Sequence, residues 1–300
     1  MNISDHLDLF LLSRRAKRSK ASSRTRDWYK QQLESWFTWL EDNRADSMSA
    51  DDLDAFLVEE ADSGLSESTV HARYRAIRAY LRWCAKRKKI TARFDELPTA
   101  IIDSPEISER KPKVADPIDV QKVLDVMTPA ATWMDYRDRA FIELLRSTGL
   151  RAQEACHLRI EHVNTRDQYI FVLAGKGAKD RIVPFGGRFS TAFTAYRFNR
   201  PSVKTDTLFI AANTHAKSTV DFSTDAARQM IERRCESAQV KRINLHSIRH
   251  MFAIESLNRG MELSAVSACL GHSSVSFTAK VYARWVLSGL RREYDEHLER

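Results

Sequence analysis

Leu245-His246-Ser247-Ile248-Arg249-His250 is followed by Leu270-Gly271-His272-Ser273 and then by Tyr282. His246 and Arg249 stand three apart, so a helix through them puts both on one face, with His250 adjacent. That face can present imidazole and guanidinium to the same phosphate. Leu270-Gly271-His272 reads as a helix stopped at Gly271 with the imidazole just beyond its end, and Ser276 is expected to cap the short helix that bears Tyr282.

Working upstream, Thr148-Gly149-Leu150-Arg151 breaks one helix and opens another. Glu154 lies three residues on from Arg151, close enough to hold its guanidinium by an ion pair. Tyr169 to Leu173 and Arg181 to Phe185 are strand-like runs around Gly175-Lys176-Gly177, the pattern of a β-hairpin with an ammonium at its tip. Lys179 and Arg181 read as contacts to an anionic backbone or as solvated charge. Each piece alone has an ordinary explanation: a surface ion pair, a turn, a core histidine, a core tyrosine. Their order along one chain does not.

The composition agrees with an acidic polymer as partner. Three hundred residues with 43% hydrophobic content can build two cores, and the net charge of +8 favours a polyanion, although charge speaks to binding and not to fold. Cys84, Cys156, Cys235 and Cys269 are too dispersed for a metal site and read as buried reduced thiols, which points to the cytoplasm. The short apolar patch Leu9 to Leu12 precedes a basic run, the reverse of a secretory signal, and no stretch approaches the roughly twenty apolar residues of a spanning helix.

The first third reads as a helical bundle. Tyr29, Leu33, Trp36, Phe37 and Leu40 recur at helical spacing, and Ser49 with Asp52 forms a capping box before Leu53, Phe56 and Leu57. A longer helix is expected over 68–89, with Val70, Tyr74, Ile77 and Leu81 inward and Arg75, Arg78, Arg82, Lys86 and Lys89 as a basic stripe opposite. An acidic stretch, Glu41 to Glu67, separates this stripe from the basic run Arg14, Arg15, Lys17, Arg18 and Lys20. Positive charge is thus gathered into two blocks, which suits the phosphates of a duplex better than a uniformly solvated surface. Residues 103–113 are polar, with Pro105 and Pro112. The expected division is a DNA-binding helical domain over 1–108, a linker over 109–115 and a second domain over 116–300, opened by Asp116, Pro117 and Asp119 as a helix start. That second domain is expected to be mainly α, with a small antiparallel β-sheet and otherwise mostly helix, including an amphipathic helix from Tyr136 to Arg146.

The ordered set Arg151, Lys176, His246-x-x-Arg249, Leu270-Gly271-His272, Tyr282 resembles the tyrosine recombinases, the phage-integrase and Xer-type family, over most of the chain. The resemblance implies a SAM-like N-terminal domain and an α+β catalytic domain. It implies Arg151 as the first catalytic arginine, Lys176 as the acid for the leaving 5′-oxygen, His246, Arg249 and His272 around the phosphate, and Tyr282 as nucleophile. His250 is left as structural. Tyr282 follows His272 by ten positions, one more than is usual in Xer-type members. A site-specific recombinase of this kind would form a 3′-phosphotyrosyl link, its proton going to a histidine or water, with no metal, ATP or other cofactor implied. It would pass two duplexes with paired inverted half-sites through a four-way junction as a homotetramer on DNA. Leu287, Leu290, Tyr294 and Leu298 form an apolar stripe after Tyr282, and family resemblance implies that this C-terminal helix docks on a neighbouring protomer. The helical domain begins near residue 1, an expectation of simple Xer-like rather than arm-regulated recombination. A type IB topoisomerase and a DNA-binding accessory protein with an inactive site are the competing readings.

Overall fold

The computed structural model describes residues 3–17, 23–108, 112–173, 180–213, 218–272, 274–282 and Tyr294. The chain divides into two compact units, 1–110 and 111–300, each around its own apolar core.

The first unit contains α1 (Leu7–Lys17), α2 (Ser23–Asn43), α3 (Ala50–Asp62), α4 (Glu67–Lys86) and α5 (Pro98–Ile101). The helical period holds: Leu33, Trp36, Phe37, Leu53, Phe56, Val70, Tyr74, Ile77 and Leu81 are all buried. Phe10 of α1 packs edge-on against Tyr29, Tyr80 and Trp83, with ring centroids 5.2, 5.1 and 5.6 Å apart. Ser49 caps α3 by accepting from the Asp52 backbone N–H (3.1 Å). The Asp52 carboxylate does not complete the box, because it accepts from the Asp46 N–H at 2.7 Å. Helix α4 is capped by Ser66 and stops at Lys86, short of the expected 89, and Lys88 has left the right-handed region at φ 52°. Lys89 therefore lies off the helical stripe. Arg75, Arg82 and Lys86 are exposed on it, and Arg78 is half-buried.

The second unit contains α6 (Pro117–Asp125), α7 (Trp133–Thr148), α8 (Ala152–Cys156), α9 (Gly187–Asn199), α10 (Thr224–Ser237), α11 (Leu245–Asn258) and α12 (Leu263–Leu270). Asp116 caps α6, accepting from the Ile118 N–H at 2.8 Å, with Pro117 in the first turn where a missing N–H costs nothing. The expected hairpin is part of a three-stranded antiparallel sheet in the order β1 (Val163–Asn164), β2 (Tyr169–Val172), β3 (Arg181–Pro184), with Val172 opposite Arg181. A second antiparallel pair, β4 (Ile210–Asn213) with β5 (Ser218–Asp221), falls where the sequence reads as helix. The cause is the continuous apolar run Leu208-Phe209-Ile210, fully buried, whose lack of alternation leaves strand and helix indistinguishable by period.

Helix α7 packs on both α9 and α11 and is buried beyond the single face that an amphipathic reading allows. Arg137 and Asp138 are inside it. Arg137 donates to the Ile210 carbonyl (3.0 Å) and to Asp138 (2.8 Å), while Arg234 from α10 reaches Asp135 (2.7 Å) and Asp138 (2.6 Å). Buried charge survives because it is paired and hydrogen-bonded. Gly149 ends α7 at φ 63°, beneath the Phe252 ring and the Leu270 side chain, where a Cβ would collide with Phe252. That tight turn sets where Arg151 emerges.

Candidate active site

Arg151 follows the Gly149 turn and opens α8. Its backbone N–H donates to Glu154 Oε2 (2.9 Å) and its Nη1 to Oε1 (3.0 Å). The expected Arg151–Glu154 pair is present, but Glu154 holds a second arginine. Arg181, at the start of β3, donates to both Glu154 oxygens at 3.1 and 2.8 Å and through Nε to the Cys269 carbonyl at 3.0 Å. Its side chain is 10% exposed. The expectation that Arg181 is solvated or contacts DNA is therefore corrected: its donors are turned inward, joining the sheet to α8 and α12. Burial raises the Glu154 pKa, but the hydrogen bonds and charges of Arg181 and Arg151 outweigh it and hold the carboxyl below its ordinary range.

Helix α12 ends at Gly271, φ 65°, with no room for a Cβ beside the Arg181 guanidinium. The turn leaves Leu270 and Gly271 carbonyls facing Arg151 Nη1 and Nη2, each at 3.5 Å. Arg249, 2% exposed, arrives from α11 and donates to the Gly149 carbonyl (2.8 Å), the Leu270 carbonyl (2.7 Å) and His272 Nε2 (3.0 Å). A guanidinium is always a donor, so Nε2 of His272 accepts and its Nδ1 carries the proton. Nδ1 lies 2.7 Å from Thr278 Oγ1, which donates onward to Ser267 at 3.0 Å. Burial and the neighbouring Arg151 pull Arg249 down to about 10, still charged at neutral pH.

Residues 275–282 are helical, and the cap is Ser274, which accepts from the Phe277 N–H at 3.2 Å, not Ser276. This helix delivers Tyr282, 1% exposed, to α11. There its hydroxyl lies 2.7 Å from His250 Nδ1. Burial pushes the phenol up to about 12, partly offset by Arg249. His246 is exposed on the same face of α11, its ring edge-on to His250 at 4.6 Å. The structure thus brings together Arg151, Glu154, His246, Arg249, His272 and Tyr282. It adds Arg181, Thr278, Ser267 and His250. Lys176 and Lys179 lie outside the described residues, as do all positions of the C-terminal apolar stripe except Tyr294. The presence of His250 beside Arg249 in the sequence was visible; its contact with Tyr282 was not.

These imidazoles sit in a cationic surround. Burial, then Arg249 and Arg151, lowers His272 from 6.5 to about 4; burial, then His246 and Arg249, lowers His250 to about 4. Folded pKa values below the unfolded ones mean that this stability is complete above pH 6.5 and is lost as pH falls from 6.5 towards 4. The urea midpoint should decline over that window, and His250→Asn with His272→Asn should flatten the decline. An equally steep decline in the double variant would disprove the assignment.

The helical bundle, the α+β second unit and the arginine–histidine cluster beside a buried tyrosine together define a tyrosine recombinase. Residues 114–286 match the phage integrase family, and residues 10–88 match the phage integrase N-terminal SAM-like domain. The chain is 32% identical to tyrosine recombinase XerD of Staphylococcus aureus over 285 residues, 92% of each chain, and equally to XerD of Staphylococcus epidermidis. In fold it is similar to XerH site-specific recombinase bound to a palindromic difH substrate, with a TM-score of 0.72 and 20% identity over 97% of this chain and 84% of that one. It is also similar to the Tn1549 transposon integrase in complex with transposon right-end DNA, with a TM-score of 0.71 and 19% identity over 97% and 99%. The chain belongs to the phage integrase family and is an enzyme of the tyrosine recombinase class, as the resemblance in its sequence implied.

Among the described residues no helix is long and apolar enough to cross a membrane.

Proposed function

We propose that this chain is a site-specific recombinase that cleaves DNA through a 3′-phosphotyrosyl link at Tyr282 and exchanges strands between two duplexes by way of a four-way junction. The observation that carries this reading is the linked set Arg151, Arg249, His272 and Tyr282, with Arg249 bonded to His272 and the tyrosine hydroxyl held against the same helix, α11. A phosphodiester resists attack because charge gathers on the oxygens around phosphorus. Fixed cationic donors aimed at the non-bridging oxygens stabilise that charge without reorganising. The Tyr282 oxygen attacks phosphorus, the bond to the 5′-oxygen breaks, and the Lys176 ammonium protonates the departing oxygen. The phosphotyrosyl bond conserves the energy for rejoining, so the cycle implies no cofactor.

The test begins with duplexes selected by the protein from a random-sequence pool, built into nicked substrates that lose the fragment behind the cut. A covalent protein–DNA band on a denaturing gel, and exchange of strands between two differently labelled duplexes, are expected. Supercoil relaxation without exchange would favour a type IB topoisomerase, and binding without a covalent band an inactive accessory protein. We assign the homotetramer on paired inverted half-sites and docking of the C-terminal segment on a neighbour to the same cycle. A chain truncated after Arg284 that still fills paired half-sites cooperatively would overturn that docking. DNA as substrate and four free, buried cysteines support a cytoplasmic location.

Lys176→Ala should slow cleavage strongly, and a substrate with sulfur at the bridging 5′ position should restore much of the rate, because a thiolate leaves without a proton. No gain with sulfur would remove Lys176 from the acid role.

We assign binding of the DNA backbone to residues 1–108, through Arg75, Arg78, Arg82 and Lys86 of α4, with Lys179 as a further contact and 109–115 as linker to the catalytic residues 116–300. Neutralising Arg75, Arg78 and Arg82 should weaken binding to all duplexes alike and make the slope of affinity against salt shallower by about one unit for each phosphate that is no longer neutralised. An unchanged slope would return the stripe to a merely solvated face.

A further inference from the structure

We propose that His250 is the base that removes the hydroxyl proton of Tyr282, an assignment that deepens the recombinase reading and rests on it. The geometry carries it: His250 Nδ1 lies 2.7 Å from the Tyr282 oxygen, within the reach that proton transfer requires. His272 is poorly placed for the same task, since Arg249 holds its Nε2 and Thr278 its Nδ1. His250 is also fixed to the phosphate clamp through the backbone, one residue after Arg249 on α11, so the proton acceptor and the clamp move as one body.

The groups facing His250 are His246 and Arg249 on its own helix, Tyr282 across from it and His272 from beyond the Gly271 turn, and its burial and cationic neighbours keep the ring neutral. With the proton on Nε2, the Nδ1 lone pair accepts the bond from the tyrosine hydroxyl. A phosphate entering beside Arg249 and Arg151 adds negative charge, which favours an imidazolium there and offsets the two arginines. In the forward step the Tyr282 oxygen forms its bond to phosphorus, its proton passes to Nδ1, and the bond from phosphorus to the 5′-oxygen breaks. That oxygen takes its proton from Lys176. On rejoining, an incoming 5′-hydroxyl gives its proton to the neutral Lys176 amine as its oxygen displaces the tyrosine, and the imidazolium returns the proton to the departing phenolate. Each proton is accounted for in both directions.

The test separates proton removal from the placing of Arg249. His250→Asn keeps an oxygen close to the Nδ1 position and can hold Tyr282 in place, but it cannot take up a proton; His250→Ala does neither. On a nicked duplex carrying the selected site, both variants should bind as the parent does and lose about 10²- to 10⁴-fold in the rate of covalent attachment. Added imidazole should return part of the rate to His250→Ala. In a Tyr282→Phe background, hydrogen peroxide supplied as an external nucleophile needs no help from a base bound to the tyrosine, so His250→Asn should leave peroxide-driven cleavage unchanged.

Attachment by His250→Asn at the parental rate, or equal losses with tyrosine and with peroxide, would overturn the proposal. So would a His250→Ala variant that imidazole does not rescue. A parent chain that binds its selected duplex but never becomes covalent to it defeats the recombinase reading itself, and with it this assignment. That failure is seen before any variant is made.

Discussion

Tyr282→Phe should bind its DNA site with nearly the parental affinity and form no covalent product on a nicked substrate. The substitution removes one oxygen from a side chain that is 1% exposed, and the phenyl ring keeps the packing that positions helical residues 275–282. What is lost is the hydroxyl proposed as the nucleophile and its hydrogen bond to His250 Nδ1, worth about 1 kcal/mol of stability. Catalysis and folding therefore part company in this variant: the melting temperature changes little while attachment disappears. A covalent band that persists would place the nucleophile elsewhere, and Tyr294, half-exposed, would be the residue to replace next.

Arg249→Ala should fail in both respects. Its guanidinium holds the Gly149 and Leu270 carbonyls and His272 from a position 2% exposed; without it Leu270 keeps only the long 3.5 Å contact from Arg151, and a buried carbonyl left without a donor costs about 1–3 kcal/mol. On the proposed mechanism, loss of one preorganised donor to the phosphate slows attachment by a further factor of about 10² to 10³. Arg249→Lys separates the two effects, since an ammonium keeps the charge but cannot span three acceptors as the planar fork does. We expect Arg249→Lys to fold, to bind DNA and to attach at least about 10²-fold more slowly. Attachment at the parental rate by the lysine variant would show that charge alone suffices and that the fork geometry is irrelevant.

The same residues show how far the sequence could be read. The spacing of His246, Arg249, His272 and Tyr282 was visible because helices impose a fixed period, and Gly149 and Gly271 were visible as stops because a left-handed residue ends a helix most cheaply as glycine. Nothing local marks Arg181 as a residue that faces inward. Its partners, Glu154 and the Cys269 carbonyl, lie 27 and 88 residues away, and an arginine near a hairpin tip looks solvated until the chain closes on it. Arg137 and Asp138 were hidden likewise, since charge reads as surface unless a distant partner such as Arg234 is known.

His250 is the sharpest case. From the sequence it is the residue after Arg249, with no distinguishing neighbour, and the period puts it on the catalytic face without saying what it meets. The contact is made by Tyr282, 32 residues on, delivered by a helix that begins after the Gly271 turn and Ser274 cap. The sequence by itself determined the family, most of the helices and the pairing of β2 with β3, because these follow from local periods and from residue types in order. Only the tertiary structure decided which groups touch: that one carboxylate, Glu154, serves two arginines, that Arg249 fixes the tautomer of His272, and that His250 holds the tyrosine. Hydrogen bonds depend on distances of tenths of an ångström between segments remote in the chain, and no local pattern encodes those.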